Sequence, residues 1–217
     1  MKTNFFLLSI VVWGLLSLTS SCQKADIVLN TTISAQIADL PQEPLNADEL
    51  SSLHLMREEE KLARDVYTTL YAKWGINVFL NISSSEQQHT DAVLILLNKY
   101  GLKDPVGSNM PGVFANPDLQ ALYTQLVAKG SASVLEAYKV GATIEDLDIF
   151  DLKNSLLKSD NQDIKLVYDL LSMGSRNHMR TFYGQIVSLV SNYSAQFITQ
   201  SELVAIVTSP RETGKSW

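Results

Sequence analysis

Cysteine is almost absent from this chain, with one, Cys22, in 217 residues. A lone thiol excludes an internal disulfide framework and any thiolate-held metal cluster in the folded part. Proline and glycine are sparse, at six and ten, which argues against a disordered or fibrous chain. Basic charge is in deficit: 17 Lys and Arg face 23 Asp and Glu, for a net charge of −6. Such acidity repels a phosphate backbone, so no nucleic acid is expected as a partner. Internal repeats and strand-like alternation are also missing. What is there is ordinary for a globular protein, 46% hydrophobic and 18% charged, and the length suits one domain plus a tail.

The first residues stand apart. Met1-Lys-Thr gives a basic start, Phe5 to Leu18 is largely apolar, and Thr19-Ser-Ser-Cys22 follows. Residues 1–21 therefore read as a secretory signal peptide, too short and poorly flanked for a stop-transfer helix. Leu18-Thr-Ser-Ser-Cys22 resembles a bacterial lipoprotein signal, which implies lipidation of Cys22 and a mature chain that begins there. Losing Lys2 takes the net charge from −6 to −7. The membrane partner would then be reached through lipid on Cys22 rather than through a basic patch. The expected location is the cell envelope, lipid-anchored and facing the periplasm or the surface. Residues 22–45, with Pro41 and Pro44, read as a flexible tether, 46–208 as the folded domain and 209–217 as a tail.

From Asn46 onward the apolar residues recur at helical spacing. Asn46 with Asp48 and Glu49 predicts a helix start, running to about Lys73 and stopping near Gly75. A second helix is expected over about Ile82–Tyr100, capped by one of Ser83–Ser85. Asn116-Pro117 has the cap-then-proline form and opens a shorter helix to about Lys129. Residues 132–158 form a third long segment that Gly141-Ala-Thr143 could interrupt, with Thr143 capping a fresh helix. A fourth long helix covers about Asp163–Ser191, and a short one Gln200–Val207. Four long amphipathic helices with short accessory ones predict an all-α bundle.

Each long helix carries an acid or a histidine on or beside its apolar stripe. Glu86 and His89, three apart, share a face with Ile82, Val93 and Leu96. Burying an unpaired charge is costly, and a metal ion is a partner that suits both groups. Facing helices of bundles build di-metal carboxylate sites from such pairs. His178 follows Val167, Leu171 and Gly174 on the inner face of the last helix. Glu145 shares a face with Tyr138 and Ile149, with Asp148 beside it. Glu58-Glu-Glu60 lies on the first helix, where helix phase puts Glu59 nearest the stripe's centre. Blander roles stay open for each residue: Glu145 and Asp146 suit a first helical turn, Glu86 has the same dipole explanation, Glu58–Glu60 suit a solvated edge, and a lone inward histidine is commonly a core residue. One set per helix is more than scattered charge predicts.

Phe79-x-x-Ile82-x-x-x-Glu86-x-x-His89, Glu60-x-x-Ala63-x-x-x-Tyr67, Ile144-Glu145-x-x-Asp148-Ile149 and Gly174-Ser175-x-x-His178-x-x-x-Phe182 resemble the four helix motifs of the ferritin-like superfamily, rubrerythrin-type members above all. Met56-Arg-Glu-Glu-Glu-Lys-Leu-Ala-Arg-Asp-Val-Tyr67 with Gly174-Ser-x-Asn-His178 is similar to a bacterial and archaeal ferritin-like domain family of unknown function, over about Leu53–Val207. The resemblance implies an antiparallel four-helix bundle. It also implies a metal set of Glu60, Glu86, His89, Glu145, Asp148 and His178, with Glu59 in reserve. Iron is the implied metal, with manganese or zinc as alternatives, and none if the site is degenerate. The implied activity is a di-metal carboxylate oxidoreductase acting on peroxide, dioxygen or ferrous ion. The fourth helix departs from the pattern: Ser175 stands where the superfamily has glutamate. A non-enzymatic envelope module therefore remains the rival reading. A homodimer stays open and the electron donor is unspecified.

Overall fold

The computed structural model describes residues 32–213. These form seven helices and no strand: α1 (32–39), α2 (Ala47–Trp74), α3 (Asn77–Lys99), α4 (Pro117–Gly130), α5 (Val134–Lys158), α6 (Gln162–Ser188) and α7 (Gln200–Thr208). No helix among the described residues is long and apolar enough to cross a membrane. The signal peptide and Cys22 lie outside the described residues.

Helix boundaries follow local chemistry. Asn46 accepts from Glu49 N while the Glu49 carboxylate accepts from Asn46 N, a complete capping box. The Glu49 carboxylate also accepts from Asp160 N and Asn161 N, which ties the start of α6 to that of α2. Gly75 closes α2 at φ 65°, a conformation glycine adopts without a Cβ clash. Two boundaries differ from the sequence reading. α3 begins at Asn77 rather than near Ile82, because Phe79 and Ile82 are already buried; Ser83 and Ser84 donate back to Leu80 O instead of capping. α5 runs unbroken through Gly141, where a Cβ would lie 2.5 Å from Phe182. That glycine marks a close approach of α5 to α6. Thr143 donates to Lys139 O rather than starting a helix.

α2 packs on α3 and α5, α5 on α6, and α6 on α3, while α4 lies against α2 and α5 and α7 against α6. The core has two apolar halves. One gathers Tyr67, Phe79, Tyr138 and Phe182, with Tyr67 and Phe182 rings 5.2 Å apart. The other gathers Leu53, Met56, Leu96, Leu152 and Tyr168. On α2, α3 and α6 the passage from one half to the other falls at Glu60, at Glu86 and His89, and at His178; on α5 it falls beyond Glu145, between Ile149 and Leu152.

Residues 32–45, read from the sequence as tether, are not extended chain throughout. Ile33 and Ile37, four apart on α1, are 3% and 1% exposed and join the second apolar half. Lys99 Nζ donates to Ile37 O and Leu40 O at 2.8 and 3.0 Å. Two apolar residues at helical spacing were too short a signal to separate from a linker. Residues 209–213, read as tail, lie on α6 through Glu212, which is held by Arg176 and Arg180.

The charged run of α2 is not a solvated edge. Arg57 donates twice to Asp104, at 3.0 Å each. Glu58 accepts from Ala115 N and Asn116 N at 2.5 and 3.0 Å. Lys61, 1% exposed, donates to Asp65 and to Met110 O, and Asp65 accepts from Gly112 N. These charges hold the 101–116 loop, which forms no helix or strand of its own.

Candidate metal centre

Five side chains from four helices converge between the two apolar halves. His89 Nδ1 lies 2.7 Å from Glu86 Oε2 and 3.1 Å from Glu60 Oε2. His178 Nδ1 lies 2.8 Å from Glu86 Oε1 and 3.5 Å from Glu145 Oε2. Two groups result, Glu60/Glu86/His89 and Glu86/Glu145/His178, and either could hold a metal ion. Glu86 belongs to both, with one oxygen in each. The two imidazoles lie nearly parallel, centroids 5.6 Å apart. All five residues are buried, none more than 6% exposed.

His89 Nδ1 and Glu60 Oε2 are hydrogen-bonded; the other three contacts are close ion pairs. Among the described residues, both Glu86 oxygens, Glu145 Oε2 and His178 Nδ1 lie buried without a hydrogen-bond partner. Leaving such atoms unsatisfied typically costs about 1–3 kcal/mol each, more when charged. A cation shared by these atoms removes that cost, since each can direct a lone pair at it.

Electrostatics follow the same geometry. Burial pushes Glu60 up to about 7, with His89 opposing and Glu86 adding to the rise. Burial would raise Glu86 as well, but His178 and His89 outweigh it and hold that carboxyl well below its ordinary range. Burial acts to lower both histidines. Glu86 and Glu60 reverse this for His89, which sits well above its usual value, and Glu86 and Glu145 raise His178 to about 9. Glu145 is raised by burial against the pull of His178.

Surrounding residues fix these side chains. Tyr67 OH donates to Glu145 Oε1 at 2.5 Å, and its own pKa is raised by burial and by that carboxylate. Ser85 Oγ lies 3.0 Å from His178 Nε2; donation from that ring nitrogen would leave Nδ1 as the lone-pair atom. In the sequence Ser85 reads only as a helix cap, since nothing local shows that it faces α6. Gly174 is the other residue whose part was hidden: a Cβ there would lie 2.5 Å from His89 Nε2, so the glycine gives the imidazole its space. Gly174→Ala should displace His89 and weaken any metal binding at the Glu60/Glu86/His89 group while sparing the Glu86/Glu145/His178 group. Metal titration of the variant checks this; wild-type affinity at both groups would count against it.

The remaining sequence candidates stand apart. Asp148 is 3% exposed, its Oδ2 has no hydrogen-bond partner among the described residues, and it joins neither group. Glu59 joins neither group and lies against Asp151 instead. Burial, reinforced by neighbouring carboxylates, raises both acids well above their usual values. Ser175 donates to Leu171 O on its own helix, at 3.1 Å. Asp146 accepts from Tyr193 OH, Gln196 N and Ile198 N, anchoring the segment before α7 rather than serving a helix dipole.

The family described as an uncharacterized protein domain, DUF2202, matches residues 49–210. The uncharacterized protein MJ0754 of Methanocaldococcus jannaschii is 52% identical over 178 residues, which cover 82% of this chain and 96% of that protein. The crystal structure of hypothetical protein MJ0754 from Methanococcus jannaschii DSM 2661 matches with a TM-score of 0.79 at 52% identity, covering 80% of this chain and 99% of that one.

Proposed function

This chain belongs to the DUF2202 domain family, and from that premise we propose that it is an extracytoplasmic ferritin-like protein holding two first-row transition-metal ions. The observation that carries the reading is the sharing of Glu86 between two buried carboxylate–imidazole triads. In this reading α2, α3, α5 and α6 make an antiparallel four-helix bundle over 46–208, and lipid on Cys22 holds it to the cell envelope.

Glu60 and His89 would hold one ion, Glu145 and His178 the other, and Glu86 would bridge them. Three carboxylates against two divalent ions leave one positive charge uncompensated. Asp148, buried with an unpartnered oxygen, is the fourth carboxylate that would balance it in place of the glutamate replaced by Ser175. Imidazole and carboxylate together suit iron first, with manganese or zinc as alternatives. A pair of iron or manganese ions supplies one-electron redox chemistry toward peroxide, dioxygen or ferrous ion as substrate. The chain supplies a water-poor interior, a proton on Tyr67 Oη held at Glu145, and fixed imidazole orientations.

Ser175 also motivates a second reading, a non-enzymatic envelope module with a degenerate metal site. The inward carboxylates and the 5.6 Å ring separation weigh against it, because dinuclear sites need ions only about 3.5–4 Å apart. Elemental analysis after anaerobic loading with ferrous ion separates the two. The metal reading expects about two ions per chain; a content well below one sinks it and leaves the module.

A further inference from the structure

The seam between α2 and α5 holds three carboxylates that neither triad uses: Glu59, Asp148 and Asp151. Glu59 and Asp148 are 5% and 3% exposed, and one oxygen of each has no hydrogen-bond partner among the described residues. The charged groups acting on Glu59 are Asp151 and Glu60; those acting on Asp148 are Glu60, Glu145, Glu59 and Glu86. Buried carboxylates surrounded by carboxylates are costly, and a hydrophobic core has no use for them.

They are also ordered in space. Asp151 is partly exposed and borders a cleft of about 210 Å³ between α2 and α5, lined by the oxygen-bearing side chains of Ser51, Asn154 and Ser155 and edged by Asp48. Asp48 is paired at the rim with Lys158, 3.1 Å away. Behind Asp151 lies Glu59, hydrogen-bonded to it, and Glu59 precedes Glu60 in the chain. On α5, Glu145, Asp148 and Asp151 recur every three residues and so share one face. Asp151 thus stands at an aqueous cleft, Glu59 is bonded to it from α2, and Asp148 interacts with Glu59, Glu60 and Glu145 further in.

We infer that this seam is the route by which a divalent cation reaches the paired triads. The inference rests on the metal reading above. The cleft oxygens and Asp151 take the hydrated ion, Glu59 and Asp148 carry it inward, and Glu60 and Glu145 receive it. Oxygen donors without imidazole favour passage over retention, because a borderline metal binds more tightly once nitrogen ligands join. Asp151, the partly exposed carboxylate of the seam, places negative charge at one opening in a low-dielectric wall, which raises the local cation concentration.

The test is the rate at which metal-free full chain takes up cobalt(II), followed by its visible absorption in a stopped-flow instrument. Asp151→Lys should slow uptake about tenfold or more, the scale of electrostatic steering. Asp151→Asn and Glu59→Gln should slow it less, and all three should end with the wild-type number of ions. Asp169→Asn, beside the cleft formed by α5, α6 and α7, should change nothing. Asp151 is partly exposed, so its variants test the route even where Glu59→Gln destabilises the fold. Wild-type uptake rates in Asp151→Lys overturn the route alone, as does a final ion count that falls with Asp151. A wild-type chain that takes up no cobalt overturns the metal reading and the route with it.

Discussion

Glu86→Ala should empty both halves of the centre, while Glu60→Ala or Glu145→Ala should each cost one ion and spare the other. Glu86 places Oε2 against His89 and Oε1 against His178, so one substitution withdraws a ligand from each triad. It also withdraws the negative charge that both imidazoles share. Even outer-shell partners of a metal are worth about 10–100-fold in affinity, so losing a shared direct ligand should exceed that in both halves. Metal content after anaerobic ferrous loading and gel filtration reads the outcome. Glu86→Gln, close in volume, separates ligand loss from cavity formation, and circular dichroism verifies the fold. An Ala variant that keeps one ion at wild-type affinity would show that Glu86 is not shared.

Asp65→Ala should destabilise the metal-free fold by about 3–5 kcal/mol, the typical cost of breaking a buried pair from one side. Asp65 and Lys61 are 2% and 1% exposed. The carboxylate accepts from Lys61 Nζ at 2.5 Å, from Arg64 at 2.8 and 2.9 Å and from Gly112 N at 2.8 Å. Without it Lys61 keeps Met110 O and the Phe114 ring, 4.2 Å from its ammonium, neither of which carries a full negative charge. At ~2–4 °C per kcal/mol for a chain of this size, the melting temperature should fall by roughly 6–20 °C. The double variant Lys61→Met/Asp65→Leu should recover much of the loss, because an apolar pair leaves no buried charge behind. The exposed pair Lys158–Asp48, its side chains 60% and 59% accessible, should by contrast be worth only about 0–1 kcal/mol. A loss under about 1 kcal/mol in Asp65→Ala would mean that the 101–116 loop does not depend on this pair.

Much of the helical architecture was legible from local signals. Asn46 with Glu49, Asn116 with Pro117 and Gly75 mark helix ends through bonds made within a few residues, and they act there in the fold. Where a signal had two physical meanings, the sequence left the choice open. Gly141 can break a helix or admit a neighbour, and the Phe182 ring decides for the neighbour. Thr143 can cap or bond back to its own helix, and continuous core contacts along α5 favour the second. The charges from Arg57 to Asp65 look solvated until the 101–116 loop folds over them.

The sequence by itself determined that the described chain is helical and that Glu86 and His89 share one face of a helix with core residues. Those facts follow from a 3.6-residue period and three-residue spacing, which are properties of one helix. Tertiary structure alone decided that Glu60 meets His89 while Glu59 turns to Asp151, that Glu86 serves two triads, and that Asp148 stands outside both. These depend on the separation and rotation of helices far apart in the chain. Adjacent residues on α2 differ by about 100° around its axis, so a rotation of about that size would exchange the roles of Glu59 and Glu60. Only the packing of α2 on α3 and α5 fixes that rotation.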